Sequence, residues 1–387
     1  MVDRVLKNSE EYKVPNSTAE QLWKFMETDL TEAITSGKLT SKTSLEDRDG
    51  GTRATLEAAR CLLGKIYLYQ EKYADAKSEL EKVISSGKYD LIADVSTFYH
   101  PASAGCKEYV LECVRHYDPS NMYSQEGWFG ILANWGFGYG FIAGPEASMH
   151  YKFNTTSGYS YFNPSKSLYD AFVAEEGADG YRLNAWIRTW EQVIAMNIAV
   201  NTTTNKYASE GYFRLKWLAS TDDEFVGYWC GNQSNTPVIR YADVLLMAAE
   251  ACLQAGDQAG ADEYLGRVRD RARLPRKSHV TLSDIKLERR LELAMEGMRF
   301  QDLKRWGDAP AVLADKGKKL PTFQIVPDPN NDLTTAAGIY NARYTTKTTY
   351  VDNEKSLAGW TPNRDEWLPF PENELEVNSN LKQNPGY

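Results

Sequence analysis

Two stretches of this chain carry one pattern of small and large apolar residues at the same offsets, and that pattern narrows the fold to paired helices. In residues 53–86, Leu63 and Gly64 are followed by Tyr67, Ala76, Leu80 and Val83. In residues 241–273, Ala249 takes the place of Gly64, Ala261 that of Ala76, Leu265 that of Leu80 and Val268 that of Val83. These are the offsets of a tetratricopeptide helix pair. Small residues at 64 and 76 let two antiparallel helices approach closely, while Tyr67 and Leu80 fill the seam. Tyr73 and Ala74 fall near the first turn, and Gly256 and Asp257 make the second. A third pair is expected over 283–306, turning at Gly297. Its first helix presents Ile285, Leu287, Leu291, Leu293, Ala294 and Met295, enough for two buried faces. Near the N-terminus, Ser17 to Glu20 reads as a capping box, followed by Leu22, Phe25, Met26, Leu30 and Ala33 on one helix face. The chain is therefore expected to be mostly α.

The pairs are not tandem, because about 150 residues separate the first from the second, far more than the short links of a repeat array. From 117 to 229 the chain turns rich in Gly, Asn, Thr and aromatics. One helix is expected over 165–174, carrying Leu168, Tyr169 and Phe172, and another around Ala185, Trp186, Ile187 and Trp190. Residues 109–116 read as a strand. A compact protein keeps so long an irregular segment for a purpose, often binding. The tail from 318 to 387 reads as loop punctuated by Pro and Asn, pinned by Trp360, Trp367, Phe370 and Tyr387. The expected organisation is one unit over 1–387. It comprises an N-terminal helical part (1–100), an irregular ligand-binding region (101–237), C-terminal helical repeats (238–310) and the loop-rich tail (311–387).

The irregular region holds the candidate binding residues. Aromatics make up 12% of the chain, with 24 Tyr and 10 Trp, and they cluster. Trp128, Phe129, Trp135, Phe137, Tyr139 and Phe141 alternate with Gly130, Gly136, Gly138 and Gly140. Glycine lets backbone lie close to a ligand. An aromatic ring is a flat apolar plate, with a polar tip on Tyr and Trp. A sugar ring has one face of C–H groups for such a plate and a rim of hydroxyls, for which Asn134, Gln125 and Glu126 stand nearby. Trp135, Trp128 and Tyr139 lead as glycan-binding residues. Tyr161 and Trp229, in two further aromatic knots, come next. The competing reading is that these rings pack the loops onto the helices.

Other chemistries find less support. A net charge of −9 argues against a general nucleic-acid binder. The local basic run Arg267, Arg269, Arg271, Arg273, Arg276 and Lys277 reads as a helix C-terminus with a hydrated surface. In the charge-rich run from Glu288 to Arg305, Arg289 and Glu292, Glu296 and Arg299, and Asp302 and Arg305 stand three apart, so the run reads as intra- and inter-helix ion pairing that fixes hairpin geometry. His100, His116, His150 and His279 have no metal-ligand spacing, and no nucleophile elbow or phosphate-binding loop occurs. A glycosidase needs two carboxylates about 5–9 Å apart; Glu126, Glu146, Asp170 and Glu175 lie in the right region, but sequence does not pair them. Asp328, Asn330, Asn331 and Asp332 read as a turn rather than a calcium loop. No cofactor is expected. Cys61 and Cys252 read as packed small hydrophobes, and pairing of Cys106 with Cys113 stays open. No run approaches the roughly 18 apolar residues of a membrane span.

Three blocks near the C-terminus carry a family resemblance. They are Arg-Tyr-Ala-Asp-Val-Leu-Leu-Met-Ala-Ala-Glu-Ala (240–251), Glu-Arg-Arg-Leu-Glu-Leu-Ala-Met-Glu-Gly-Met-Arg-Phe-Gln-Asp-Leu-Lys-Arg-Trp (288–306) and Leu-Lys-Gln-Asn-Pro-Gly-Tyr (381–387). In this order they resemble the SusD/RagB family, as do residues 53–69, 107–112, 163–172 and 368–375. The resemblance implies four tetratricopeptide-like helix pairs carrying an irregular region. It further implies a non-enzymatic lipoprotein on the outer face of the outer membrane, which binds oligo- or polysaccharide and passes it to a SusC-like TonB-dependent barrel. Family motifs are structural, so ligand contacts do not transfer. Members normally begin with a signal peptide, a lipid-bearing Cys and a long helical segment. None is read here, so the chain is expected to start late, leaving apolar faces at 18–36 and 54–70 exposed. The expected function is thus glycan capture, with no nucleic-acid partner and membrane association only through a lipid anchor. A tetratricopeptide scaffold for peptide or protein is the alternative, and a glycoside hydrolase a more distant one.

Overall fold

A computed structural model describes residues 1–8, 11–114, 163–189, 210–216 and 235–387, the last without 333, 336, 339, 340, 342 and 355–357. It also describes the short pieces 141–142, 191–192, 199–200 and 206–207. Among these residues the helices are α1 Ala19–Thr35, α2 Leu56–Tyr69, α3 Tyr73–Ser85, α4 Lys166–Glu176, α5 Tyr181–Trp186, α6 Tyr241–Gln254, α7 Gln258–Arg271, α8 Leu282–Glu292, α9 Arg299–Arg305, α10 Ala309–Val312 and α11 Glu372–Val377. The strands are β1 Tyr109–Cys113, β2 Phe141–Ile142, β3 Ile187–Thr189, β4 Ala199–Val200, β5 Lys206–Tyr207, β6 Tyr212–Arg214, β7 Thr236–Arg240, β8 Lys319–Pro327 and β9 Tyr344–Asp352. The fold is mostly α, as expected.

The helix pairs form where the small residues predict them. A Cβ on Gly64 would stand 2.7 Å from the Leu80 side chain, so only glycine lets α2 meet α3 this closely. Ala76, Leu80 and Val83 are fully buried, and so are Ala249, Ala261 and Val268 in the second pair. The turn of that pair has Gly256 at φ +83, with Asp257 capping α7 through the Gly260 amide. Helix α6 packs against α3, α7 and α8 and is buried from Tyr241 to Cys252, which accounts for its nearly unbroken apolar run. One apolar cluster joins α2, α3, α6, α7 and α8. A second gathers Phe98, Tyr109, Phe172, Trp186, Ile187 and Leu291.

Several boundaries differ from expectation. The cap of α1 is Thr18, not Ser17: Thr18 accepts from the Gln21 amide, and Gln21 reaches back to the Thr18 amide. Ser17 instead accepts from the terminal amine. No residue of α1 is buried, whereas α2 buries Ala58, Cys61 and Leu63. Helix α8 stops at Glu292, leaving Leu293, Ala294 and Met295 in the turn. The Lys216 ammonium takes the carbonyls of Glu292 and Ala294 at 3.1 Å each, ending the helix in the way cationic side chains can. Ile187 opens strand β3 instead of extending a helix; β3 pairs antiparallel with β6.

The tail is not all loop. Strands β8 and β9 pair antiparallel in unbroken register from Lys319↔Asp352 to Pro327↔Tyr344, and β5 adds to β8. Trp360 packs near Phe300, with ring centroids 6.3 Å apart. Trp367 and Tyr387 do not bury: they are 49% and 47% exposed. Side-chain amides hold this end instead. Asn378 and Asn380 donate to the carbonyls of Val14 and Lys13, and Asn16 makes two hydrogen bonds with the Lys382 backbone.

Candidate functional site

The candidate glycan-binding residues Trp128, Trp135, Tyr139, Tyr161 and Trp229 lie outside the described residues, as do Gln125, Glu126 and Asn134. What is described is the frame that bounds those segments. β1 and β7 run antiparallel with Tyr109 opposite Arg240 and Cys113 opposite Thr236. At their far end Asn235 donates to Glu112 at 3.0 Å. α4 and α5 follow from Lys166, and Lys216 stands two residues beyond β6.

A buried ionic junction ties this frame to the helices. Glu292 is fully buried and meets three guanidinium groups, those of Arg182, Arg240 and Arg271. Arg182 also pairs with Glu288 at 2.6 Å and Glu176 at 2.7 Å. Arg240 pairs with Glu108 at 2.6 Å and Glu296 at 2.6 Å, and its guanidinium lies 4.7 Å from the Phe98 ring centre. Lys216 pairs with Glu296 at 2.5 Å and sits 3.8 Å over Trp186. Burial raises the Glu292 carboxyl, but Arg271, Arg240, Arg182 and Lys216 outweigh it and hold the group well below the usual range. For Glu108 burial wins over its two arginines, and its carboxyl is raised. Burial pushes the Lys216 ammonium down to about 8.

This junction corrects one sequence expectation, the hydrated basic run, and changes the partners in another, the ion pairing within and between helices. Arg269 and Arg271 do not hydrate a surface. They are buried, Arg269 against Glu175 and Glu288 and Arg271 against Glu108 and Glu292. The outer members of that run do stay near the surface, where Arg276 pairs with Glu263 and Asp270. Of the three short-range pairs, Asp302 with Arg305 forms at 2.9 Å. Arg289 turns to Asp243 and Asp302, and Glu292 and Glu296 face other elements. Sequence reading missed Arg182, Lys216 and Arg240 as anchors, since no local spacing ties them to junction partners 52 to 132 residues away.

Other candidates resolve into structural roles. Glu81, Cys252 and Asp257 bring donor atoms within 4.8 Å of one another, but Lys77 lies 2.6 Å from Asp257 and supplies the positive charge. Beside them a groove of about 650 Å³ runs between α3 and α7, lined by Lys77, Glu81, Lys82 and Tyr264. Cys106 and Cys113 are both free thiols. Asp328 accepts from Asn330, and Asn331 bonds twice with the Arg343 backbone, which makes this run a turn. Asp170 pairs with Lys166, and Glu175 with Arg269 and Lys277.

Helix hairpins tied together by a buried ionic junction flank the part of the sequence where aromatic residues cluster. The chain belongs to the SusD family, whose profile matches residues 107–387. It is 31% identical over 170 residues to a SusD-like protein of Bacteroides ovatus, covering 39% of this chain and 29% of that protein. To SusD-like protein P2 of Formosa agariphila it is 26% identical over 362 residues, covering 85% of this chain and 59% of the relative. The chain thus spans less than two thirds of the length of these relatives. Its structure is similar to that of a laminarin-binding SusD-like protein, with a TM-score of 0.71 and 27% identity over 96% of this chain and 70% of the other.

Proposed function

We propose that this protein is a non-catalytic glycan-binding subunit of the bacterial cell surface. In this role it captures oligo- or polysaccharide and delivers it to a SusC-like TonB-dependent barrel. The observation that carries the reading is the likeness, over nearly the whole chain, to a laminarin-binding SusD-like protein. The helices act as a scaffold, and the aromatic tract around Trp128, Trp135 and Tyr139, with Tyr161 and Trp229, supplies the plates. Attachment at the outer face of the outer membrane comes through a lipid anchor. Among the described residues no helix is long and apolar enough to cross a membrane. The chain acts as one unit, with the region 101–237 carrying the ligand.

The test is calorimetry with laminarin on the wild type and on Trp128→Ala and Trp135→Ala. Each ring removed is expected to cost about 1 kcal/mol of stacking, a several-fold weaker affinity; unchanged binding in both variants removes the tract from the proposal. The groove between α3 and α7 is the observation that favours a peptide scaffold. Its two lysines are already paired, Lys77 with Asp257 and Lys82 with Glu79, which leaves the glycan reading ahead.

A further inference from the structure

The described residues carry an aromatic surface of their own, apart from the tract. Tyr169 on α4, Tyr212 on β6 and Tyr350 on β9 converge with Lys166, Asp170 and Glu210. Tyr169 and Tyr212 stack with centroids 4.6 Å apart and planes at 27°. The Tyr350 hydroxyl donates to Glu210 Oε1 at 2.7 Å. Glu210 Oε2 accepts from the Lys166 amide, and the Lys166 ammonium donates to both oxygens of Asp170. Tyr350 is 50% exposed, and the side chains of Lys166 and Asp170 are more than half exposed. Tyr169 and Tyr212 are half-buried.

The surface is held from behind. Gly211 has φ +89, and a Cβ there would meet the Phe323 ring at 2.5 Å, so the chain entering β6 lies directly on β8. β8 is paired with β9 along its whole length, which sets Tyr350 relative to Tyr212. Ser165 caps α4, and Phe172 on that helix is fully buried. Fixed rings lose little entropy on binding.

Its chemistry fits one kind of ligand. Phenol faces offer plates for the C–H face of a pyranose. Asp170 and Glu210 accept from sugar hydroxyls, and Lys166 donates to sugar oxygens. The Glu210 hydrogen bond, helped by burial, pushes the Tyr350 phenol up to about 12, and the phenol proton is held by Glu210. Two carboxylates beside one ammonium disfavour an acidic glycan. The surface comprises six residues, far fewer than the roughly 20–30 a side of a stable protein interface.

We propose that Tyr169, Tyr212 and Tyr350, with Lys166, Asp170 and Glu210, form a second carbohydrate-contact surface, which takes an uncharged polysaccharide. It rests on the reading that this chain binds glycan. A polymer held at two places on one chain gains affinity that a short oligosaccharide does not.

Native gels cast with laminarin, starch or xylan test this, comparing wild type, Tyr212→Ala/Tyr350→Ala, Tyr350→Ala, Tyr350→Phe and Trp128→Ala/Trp135→Ala. The wild type is expected to be retarded by at least one polymer. The double Tyr variant should bind that polymer about tenfold to thirtyfold more weakly, the size of two ring-stacking contacts, while Tyr350→Phe keeps most of the binding. If the double variant melts early, the exposed single replacement Tyr350→Ala decides, with a smaller loss expected. Equal retardation of wild type and the Tyr variants overturns the second surface and leaves the glycan reading standing. No retardation of the wild type by any of the three polymers overturns both. Retardation that depends on the Tyr residues but survives loss of Trp128 and Trp135 supports the surface and counts against the tract alone.

Discussion

Leu80 and Glu292 are both fully buried, one in a helical hairpin and the other in the ionic junction, and they hold the molecule by different means. Leu80 lies in an apolar cluster, and the geometry there follows from how closely Gly64 lets α2 approach α3. Around Glu292 three guanidinium groups arrive from α5, β7 and α7, and each keeps a second carboxylate. An apolar seam accepts side chains of similar volume with modest loss. A carboxylate shared by three arginines is satisfied in one arrangement, because charge-assisted hydrogen bonds are directional. The hairpins therefore give bulk stability. The junction fixes how α4, α5, β1 and β7 sit on the helices.

The comparison breaks most easily at Glu292. Glu292→Ala leaves three buried cations short of a partner and is expected to cost about 3–5 kcal/mol, read from urea unfolding. Leu80→Ala should cost about 3 kcal/mol from the cavity it leaves. A clearly smaller loss at Glu292 than at Leu80 would make the junction dispensable and reverse the ranking. Gly64→Ala comes next, at about 1–3 kcal/mol of overpacking against Leu80, in the same measurement. Thr281→Ala removes the capping box of α8 and should cost about 1 kcal/mol, without altering the α2–α3 pair.

A smaller effect sharpens the electrostatic side. Lys216 has a folded pKa of about 8, depressed by burial although Glu296 and Glu292 face it, against roughly 10.4 in an unfolded chain. Between these values the unfolded chain holds a proton that the folded chain has released. Stability contributed at this position therefore rises with pH through that window, and the burial penalty is complete below it. Lys216→Arg keeps its charge throughout. The wild-type Tm minus that of Lys216→Arg should climb between about pH 8 and pH 10. A flat or falling difference would mean that the ammonium is not desolvated as its place over Trp186, beside Arg240, requires.

Much of the scaffold was legible because its causes are local and periodic. Ala76, Leu80 and Val83 face one way on α3, and their counterparts on α7 repeat the spacing. The end of α8 was not legible, since it depends on Lys216, a residue in another segment. The β8–β9 hairpin was hidden by Pro321 and Pro327 and by a run of threonines, which read as loop when no partner strand is in view. Trp367 and Tyr387 were expected to pin the tail but stay exposed, and amide hydrogen bonds from Asn378, Asn380 and Asn16 hold its last residues. Of the candidate site, the sequence showed which rings cluster along the chain. The pairing of Tyr169, Tyr212 and Tyr350 joins residues too far apart to cluster in any window.

By itself the amino-acid order determined the helix pairs, their close approach at Gly64 and the family, since small residues at fixed offsets and contiguous motifs act within one turn or one hairpin. Only the tertiary structure decided which charges go inside. Arg269 and Arg271 belong to one surface-looking basic run with Arg273 and Arg276, yet they are buried. An arginine enters a core when carboxylates from distant segments meet it there and offset the loss of water, and a partner such as Glu108, 163 residues from Arg271, leaves no periodic trace in the chain.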